Sequence, residues 1–120
     1  MKRILVIAFG LLASCSGLPR QVGTNLVGNW RYEDQLKRCD YTFAGDGTFR
    51  GDVISDGKTI SQFHGKWTVK DRAVLYTYEG DRMHRIAPGT TDRDKLISLA
   101  ADKLTIEAAD GSRRTYRREH

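Results

Sequence analysis

The chain has 120 residues, with 20 Lys and Arg against 15 Asp and Glu and a formal charge of +5. That length suits one domain. The basic excess is mild and spread along the chain, without the concentrated stripe of a nucleic-acid binder, so that class is excluded.

Residues 1–14 read as an export signal. Lys2 and Arg3 form a positive start, and Ile4 to Ala13 form an apolar run. The run is too short to span a bilayer as a helix, which takes about 20 residues. Leu12-Ala13-Ser14-Cys15 follows. This stretch resembles the lipobox of bacterial lipoproteins: an aliphatic residue, two small residues and a cysteine. The resemblance implies that the Cys15 thiol receives a diacylglyceryl group, that cleavage occurs before Cys15, and that the new amine is acylated. Two or three acyl chains hold a protein stably to a membrane, where one does not. Position 16 is Ser rather than Asp. On the same resemblance, that implies the outer membrane, facing the periplasm.

With lipid on Cys15, Cys39 has no partner for an intramolecular disulfide. It sits in an alternating run and reads as a small buried hydrophobe, with a reactive thiol or an intermolecular bridge as alternatives. Residues 15–25 read as the lipidated cysteine and a linker, carrying Gly17, Pro19, Gly23 and Thr24. Ten extended residues reach at most about 33 Å. The folded domain is expected over 26–120.

From Leu26 onward the pattern has period two, broken by turns. Leu26, Gly28, Trp30 and Tyr32 share one face of a first strand, and Cys39, Tyr41 and Phe43 one face of a second. Gly45-Asp46-Gly47 turns into Phe49, Gly51 and Val53. Ser55-Asp56-Gly57-Lys58 turns toward Phe63, Gly65, Trp67 and Val69, and Asp71-Arg72 turns into Ala73–Tyr78. Asp81 to Asp94 reads as one long connection, long enough for a lid or binding loop. Two short strands, Leu96–Leu99 and Leu104–Ala108, flank Ala101-Asp102. Asp110-Gly111-Ser112 leads into Arg113–Arg118. The expectation is an all-β fold: a small antiparallel up-and-down meander of about eight short strands. Closure into a barrel would remove its two open edges.

Leu26-Val27-Gly28-Asn29-Trp30 resembles the opening of lipocalin-like domains, whose first strand carries Gly-x-Trp. Asp40 to Phe49, Gly65-Lys66-Trp67, Tyr76-Thr77-Tyr78 and the ending from Asp110 to Tyr116 are similar to small bacterial members. The resemblance implies a lipocalin-like barrel in which Trp30 closes one end. It also implies that a basic residue of the last strand, Arg117 or Arg118, stacks on that ring. A domain this small implies shorter strands and a shallower calyx than a full lipocalin.

Trp30, Tyr41, Phe43, Phe49, Phe63, Trp67 and Tyr116 are the inward candidates. They can fill the interior, or Gly28, Gly51 and Gly65 can leave gaps for a pocket. His64, His84 and His120 show no metal-ligand spacing, and no nucleophile elbow or phosphate loop occurs. Asp92-Arg93-Asp94 reads as a solvated loop and Thr90-Thr91-Asp92 as a turn. No enzyme activity, cofactor or metal is expected. Arg113, Arg114, Arg117 and Arg118 read as a solvated face, or as a contact for anionic lipid, acidic glycan or a partner. Two functions follow. One is a small apolar or amphipathic ligand held by Trp30, Tyr41, Trp67 and Tyr76. The other is an envelope interaction protein, an inhibitor or assembly accessory, built on a filled core.

Overall fold

In the computed structural model, residues 25–120 are described. The expected export signal, Cys15 and nearly all of the expected linker lie outside them. Alternation becomes eight strands: β1 (Gly28–Glu33), β2 (Lys37–Phe43), β3 (Thr48–Ser55), β4 (Lys58–Lys70), β5 (Ala73–Asp81), β6 (Thr91–Leu99), β7 (Lys103–Glu107) and β8 (Arg113–Glu119). Each pairs antiparallel with its sequence neighbours, and β8 returns to β1, so the sheet is a closed barrel. The all-β, up-and-down barrel expected from the sequence is the observed fold.

Tight turns set the register. Asp56 and Gly57 have φ of 51° and 76°, and Asp71 and Arg72 have 53° and 61°. Two successive positive φ values match the right-handed twist of the strands on either side of a two-residue hairpin loop. One end of the barrel collects the start of β1, the β2–β3, β4–β5 and β6–β7 turns and the end of β8. The other collects the β1–β2, β3–β4 and β7–β8 turns and the β5–β6 loop.

Three features differ from the sequence reading. The long connection is shorter, because β6 already begins at Thr91. Thr91, Asp92, Arg93 and Asp94 pair with Thr77, Tyr76, Leu75 and Val74. A strand that starts on polar residues has no apolar period to announce it, so the turn expected at Thr90-Thr91-Asp92 and the solvated loop at Asp92–Asp94 are strand instead. Second, the glycines leave no gaps. A Cβ on Gly28 would collide with the Arg118 guanidinium, on Gly51 with the Phe63 ring, and on Gly65 with the Thr77 carbonyl. They are glycines because neighbours already fill that space. Third, the four arginines of β8 do not form one face. Arg113 and Arg117 are exposed, whereas Arg114 and Arg118 alternate with buried Tyr116 and are half-buried.

The interior is aromatic. Trp30, Phe43, Phe49, Phe63, Tyr76, Tyr78 and Tyr116 are buried with Leu26, Val74, Leu104 and Ile106, and Tyr41 and Trp67 pack against them. Their rings meet at centroid distances of 5.1 Å for Phe43–Trp67, 5.2 Å for Phe49–Tyr76 and 5.6 Å for Tyr41–Phe63. Such tilted and edge-on pairs add to the stabilisation from burial. Cys39 is 3% exposed and packs in this core as expected of a small hydrophobe. Burial pushes its thiol pKa up, which keeps it protonated and unreactive.

Candidate functional site

The two ends of the barrel differ in chemistry. The first is sealed. Trp30 is 1% exposed and donates its indole N–H to the Leu26 carbonyl at 2.8 Å. The Arg118 guanidinium lies over the Trp30 ring at 4.3 Å from its centroid. Its nitrogens donate to the carbonyls of Ala101 at 2.7 Å, Val27 at 2.8 Å and Asn25 at 2.6 Å. This settles which arginine of β8 stacks on the tryptophan: Arg118 points inward, while Arg117, one residue earlier, points out. Trp67 lies at the same end and donates its N–H to the Ala44 carbonyl at 3.0 Å.

Between the ends, Trp30, Tyr41, Phe43, Val74, Tyr76, Asp94, Leu104, Ile106 and Tyr116 enclose a cavity of about 10 Å³. That is space for about one water molecule, not for an organic ligand.

The second end is polar inside and apolar at its rim. Tyr32 and Tyr116 approach to 5.9 Å between ring centroids, and Tyr41 and Tyr116 to 5.6 Å. Arg114 lies 5.8 Å over the Tyr32 ring. Desolvation by burial would lower the Arg114 pKa, but the nearby Tyr116 hydroxyl and surrounding groups leave it raised, so the guanidinium stays charged. Asp94 is buried among these groups and accepts the Tyr76 hydroxyl proton at 2.9 Å. Burial raises its pKa, and the hydrogen bond from Tyr76 only partly offsets this.

Tyr41 keeps some solvent access. Protein atoms nevertheless surround its hydroxyl closely, and desolvation pushes its pKa well above the ordinary tyrosine value. Burial does the same for Tyr76, Tyr78 and Tyr116. These phenols are therefore hydrogen-bonding groups at neutral pH, not charges.

The rim of this end carries Leu36, 69% exposed in the β1–β2 turn, and Met83, 45% exposed in the β5–β6 loop. Ile86, in the same loop, packs on the core. The loop is tied down by Asp81, which accepts from the Ser61 hydroxyl at 2.6 Å and from the backbone N–H groups of Gln62 and Met83 at 2.9 Å each.

Of the four residues expected to touch a ligand, Trp30, Tyr41 and Tyr76 line the small central cavity, whereas Trp67 joins Tyr76 at an open groove of about 590 Å³ bordered by Lys66, Leu75, Thr91 and Arg93. Trp30 and Trp67 sit at the sealed end. Tyr76 is buried in the middle layer, and Tyr41 lies between it and the open end. The open-end groups that sequence reasoning missed are Arg114 and Asp94, one read as part of a basic face and the other as a loop carboxylate. Their parity with Tyr116 and with Leu96 was the available signal. Among the described residues, no group of three or more His, Cys, Asp or Glu could hold a metal.

No protein-family model matches the chain, and no curated protein sequence does. Solved structures do. A lipocalin-like protein from Bacteroides uniformis ATCC 8492 superposes with a TM-score of 0.59 at 18% identity, covering 79% of this chain and 99% of the other. A protein from Bacteroides thetaiotaomicron VPI-5482, solved by NMR, superposes with a TM-score of 0.60 at 15% identity, covering 82% and 92%. At these identities the likeness is one of fold, and the fold of this chain is that of a lipocalin-like barrel.

Proposed function

We propose that this chain is a non-enzymatic envelope lipoprotein, anchored through lipid on Cys15, whose barrel binds a small amphipathic molecule at its open end. The observation that supports this most is the asymmetry of the barrel. One end is closed by Trp30, Arg118 and Trp67. The other gathers tyrosine hydroxyls and Arg114 beneath an exposed apolar rim of Leu36 and Met83. Exposed apolar side chains bordering a polar recess mark a binding surface. Asn25 lies at the closed end, bonded to Arg118. An anchor preceding it would tether that end and leave the open end toward the periplasm. The core is too full for a deep calyx, so the ligand sits across the mouth, against Tyr32 and the accessible part of Tyr41.

Native mass spectrometry of the chain extracted from its envelope tests the reading. A small molecule that co-purifies and is lost on refolding supports it. Metabolic labelling with palmitate tests the anchor: label should be incorporated, and Cys15→Ser should abolish it.

The small cavity favours a second reading, in which the barrel is a solid scaffold and the Leu36–Met83 rim meets another envelope protein. A bare protein mass, with cross-linking from position 36 or 83 to one defined partner, would favour this reading over the first.

A further inference from the structure

The outer wall of the barrel is uneven in charge. On β8, Arg117 faces outward and lies directly across from Arg31 of β1 on one side and Lys103 of β7 on the other. Like charges directly opposite in a sheet repel and cost stability. Arg31 is offset by Asp40 at 2.6 Å and Glu119 at 3.4 Å. Among the described residues, no carboxylate lies within 4.0 Å of Arg117, of Lys103, or of Lys95 on β6.

The wall from β6 to β8 continues the pattern. Two residues along from Lys103 and Arg117, the hydroxyls of Thr105 and Thr115 meet at 3.0 Å. One row further, Glu107 pairs with Arg113 at 3.1 Å and has Lys95 on its other side. Lys95, Lys103, Arg113 and Arg117 are all exposed. Four long cationic side chains thus surround a low, hydroxyl-lined centre, with Glu107 as the acid of these rows. The wall of β2 and β3 is balanced instead: Arg38 and Arg50 alternate with Asp40 and Asp52, which face each other. A broad cationic face of this kind suits an extended anionic surface.

The path of the chain indicates which surface. Arg118, next to Arg117, holds the Asn25 carbonyl at 2.6 Å. The N-terminal segment therefore meets the barrel beside this wall. Ten residues separate Asn25 from Cys15, at most about 33 Å when extended. Lipid on Cys15 would keep the wall within that reach of a membrane. An anionic leaflet attracts Lys and Arg at its surface, each strengthening attachment about fivefold.

We infer that the outer wall of β6 to β8 docks on an anionic lipid surface through Lys95, Lys103, Arg113 and Arg117, so that the barrel lies on its side with its open end uncovered. This rests on the anchor reading above for the source of the membrane. Contact of the wall with lipid is a property of the folded barrel and is tested without the anchor.

The test is co-sedimentation of the full chain carrying Cys15→Ser with vesicles of phosphatidylcholine, alone or with about 30% phosphatidylglycerol, at low salt. Anionic vesicles should be preferred. Lys103→Gln with Arg117→Gln should weaken binding to them about thirtyfold and leave binding to neutral vesicles unchanged. Arg50→Gln with Lys58→Gln removes the same charge from the β3–β4 side and should change binding less than about threefold, because salt screens distant charges. Residues 1–14 are common to all variants, so the differences report the wall. Equal weakening by the two pairs would reflect net charge alone and overturn the docking face. Anionic vesicle binding that ignores Lys103→Gln with Arg117→Gln would overturn it too; if that pair instead abolished sedimentation with purified cell wall, the partner would be an acidic glycan. Failure of palmitate labelling at Cys15, with wall-dependent vesicle binding retained, would strike the anchor and support the docking face.

Discussion

Arg118 and Arg117 are neighbours of like chemistry on β8, and the barrel gives them opposite roles. Arg118→Ala removes three hydrogen bonds to the carbonyls of Ala101, Val27 and Asn25 and the stacking on Trp30. A hydrogen bond from a charged donor contributes about 1.5–3 kcal/mol when desolvated. Two of these three are on the exposed side, which moves them toward the bottom of that range or below it. The cation–π contact adds about 0.5–2 kcal/mol. The loss expected for Arg118→Ala is about 2–4 kcal/mol, a fall in Tm of about 10–25 °C for a domain of this size. Arg117→Ala touches only an exposed side chain and should stay within about 0.5 kcal/mol. Arg118→Lys should recover less than half, because one ammonium cannot reach three divergent carbonyls. Urea unfolding followed by tryptophan fluorescence reads all three. Equal losses at 117 and 118, in either direction, would refute the assignment of Arg118 as the plug.

Other positions test the packing. Gly65→Ala puts a methyl group into the Thr77 backbone and should cost about 3 kcal/mol or more. Gly45→Ala, with nothing within 4 Å, serves as the control in the same melt. The Cys39 thiol, buried and held protonated, should react with a thiol reagent only at the rate of unfolding; prompt labelling of the native chain would contradict its placement. Asp94 has a folded pKa raised by burial, so its protonated form favours the fold. Whatever stability that provides is present below the ordinary carboxylate value of 3.8 and is lost as pH rises through the folded value. Asp94→Asn keeps an acceptor for Tyr76 and removes the charge. It should raise the urea midpoint at pH 7 and leave it unchanged at pH 3.

Period-two alternation was enough to count eight strands and to offer candidates for the inward face. Trp30, Tyr41, Phe43, Phe49, Phe63, Trp67 and Tyr116 all point where their spacing put them, because a pleated strand facing a barrel interior has no other side for large apolar groups. The same logic located the turns at Asp56-Gly57 and Asp71-Arg72, where the chain must take positive φ. Gly-x-Trp foretold a sealed end. The resemblance of Leu12-Ala13-Ser14-Cys15 to a lipobox rests on residues in order alone and falls outside the described residues.

Tertiary structure decided the rest. β6 begins on Thr91-Asp92-Arg93-Asp94, which has no apolar period, and only pairing with β5 makes it a strand. Gly28, Gly51 and Gly65 read as possible gaps in the inner face until the Arg118 guanidinium, the Phe63 ring and the Thr77 carbonyl are seen to fill them. Four arginines in six residues look like one basic patch in one dimension. Closure of the barrel sorts them, two outward, one onto Trp30 and one into the open mouth. Alternation tells which residues share a face. It cannot tell which end of the barrel a residue occupies or what lies across from it, because strands far apart in the chain supply those neighbours.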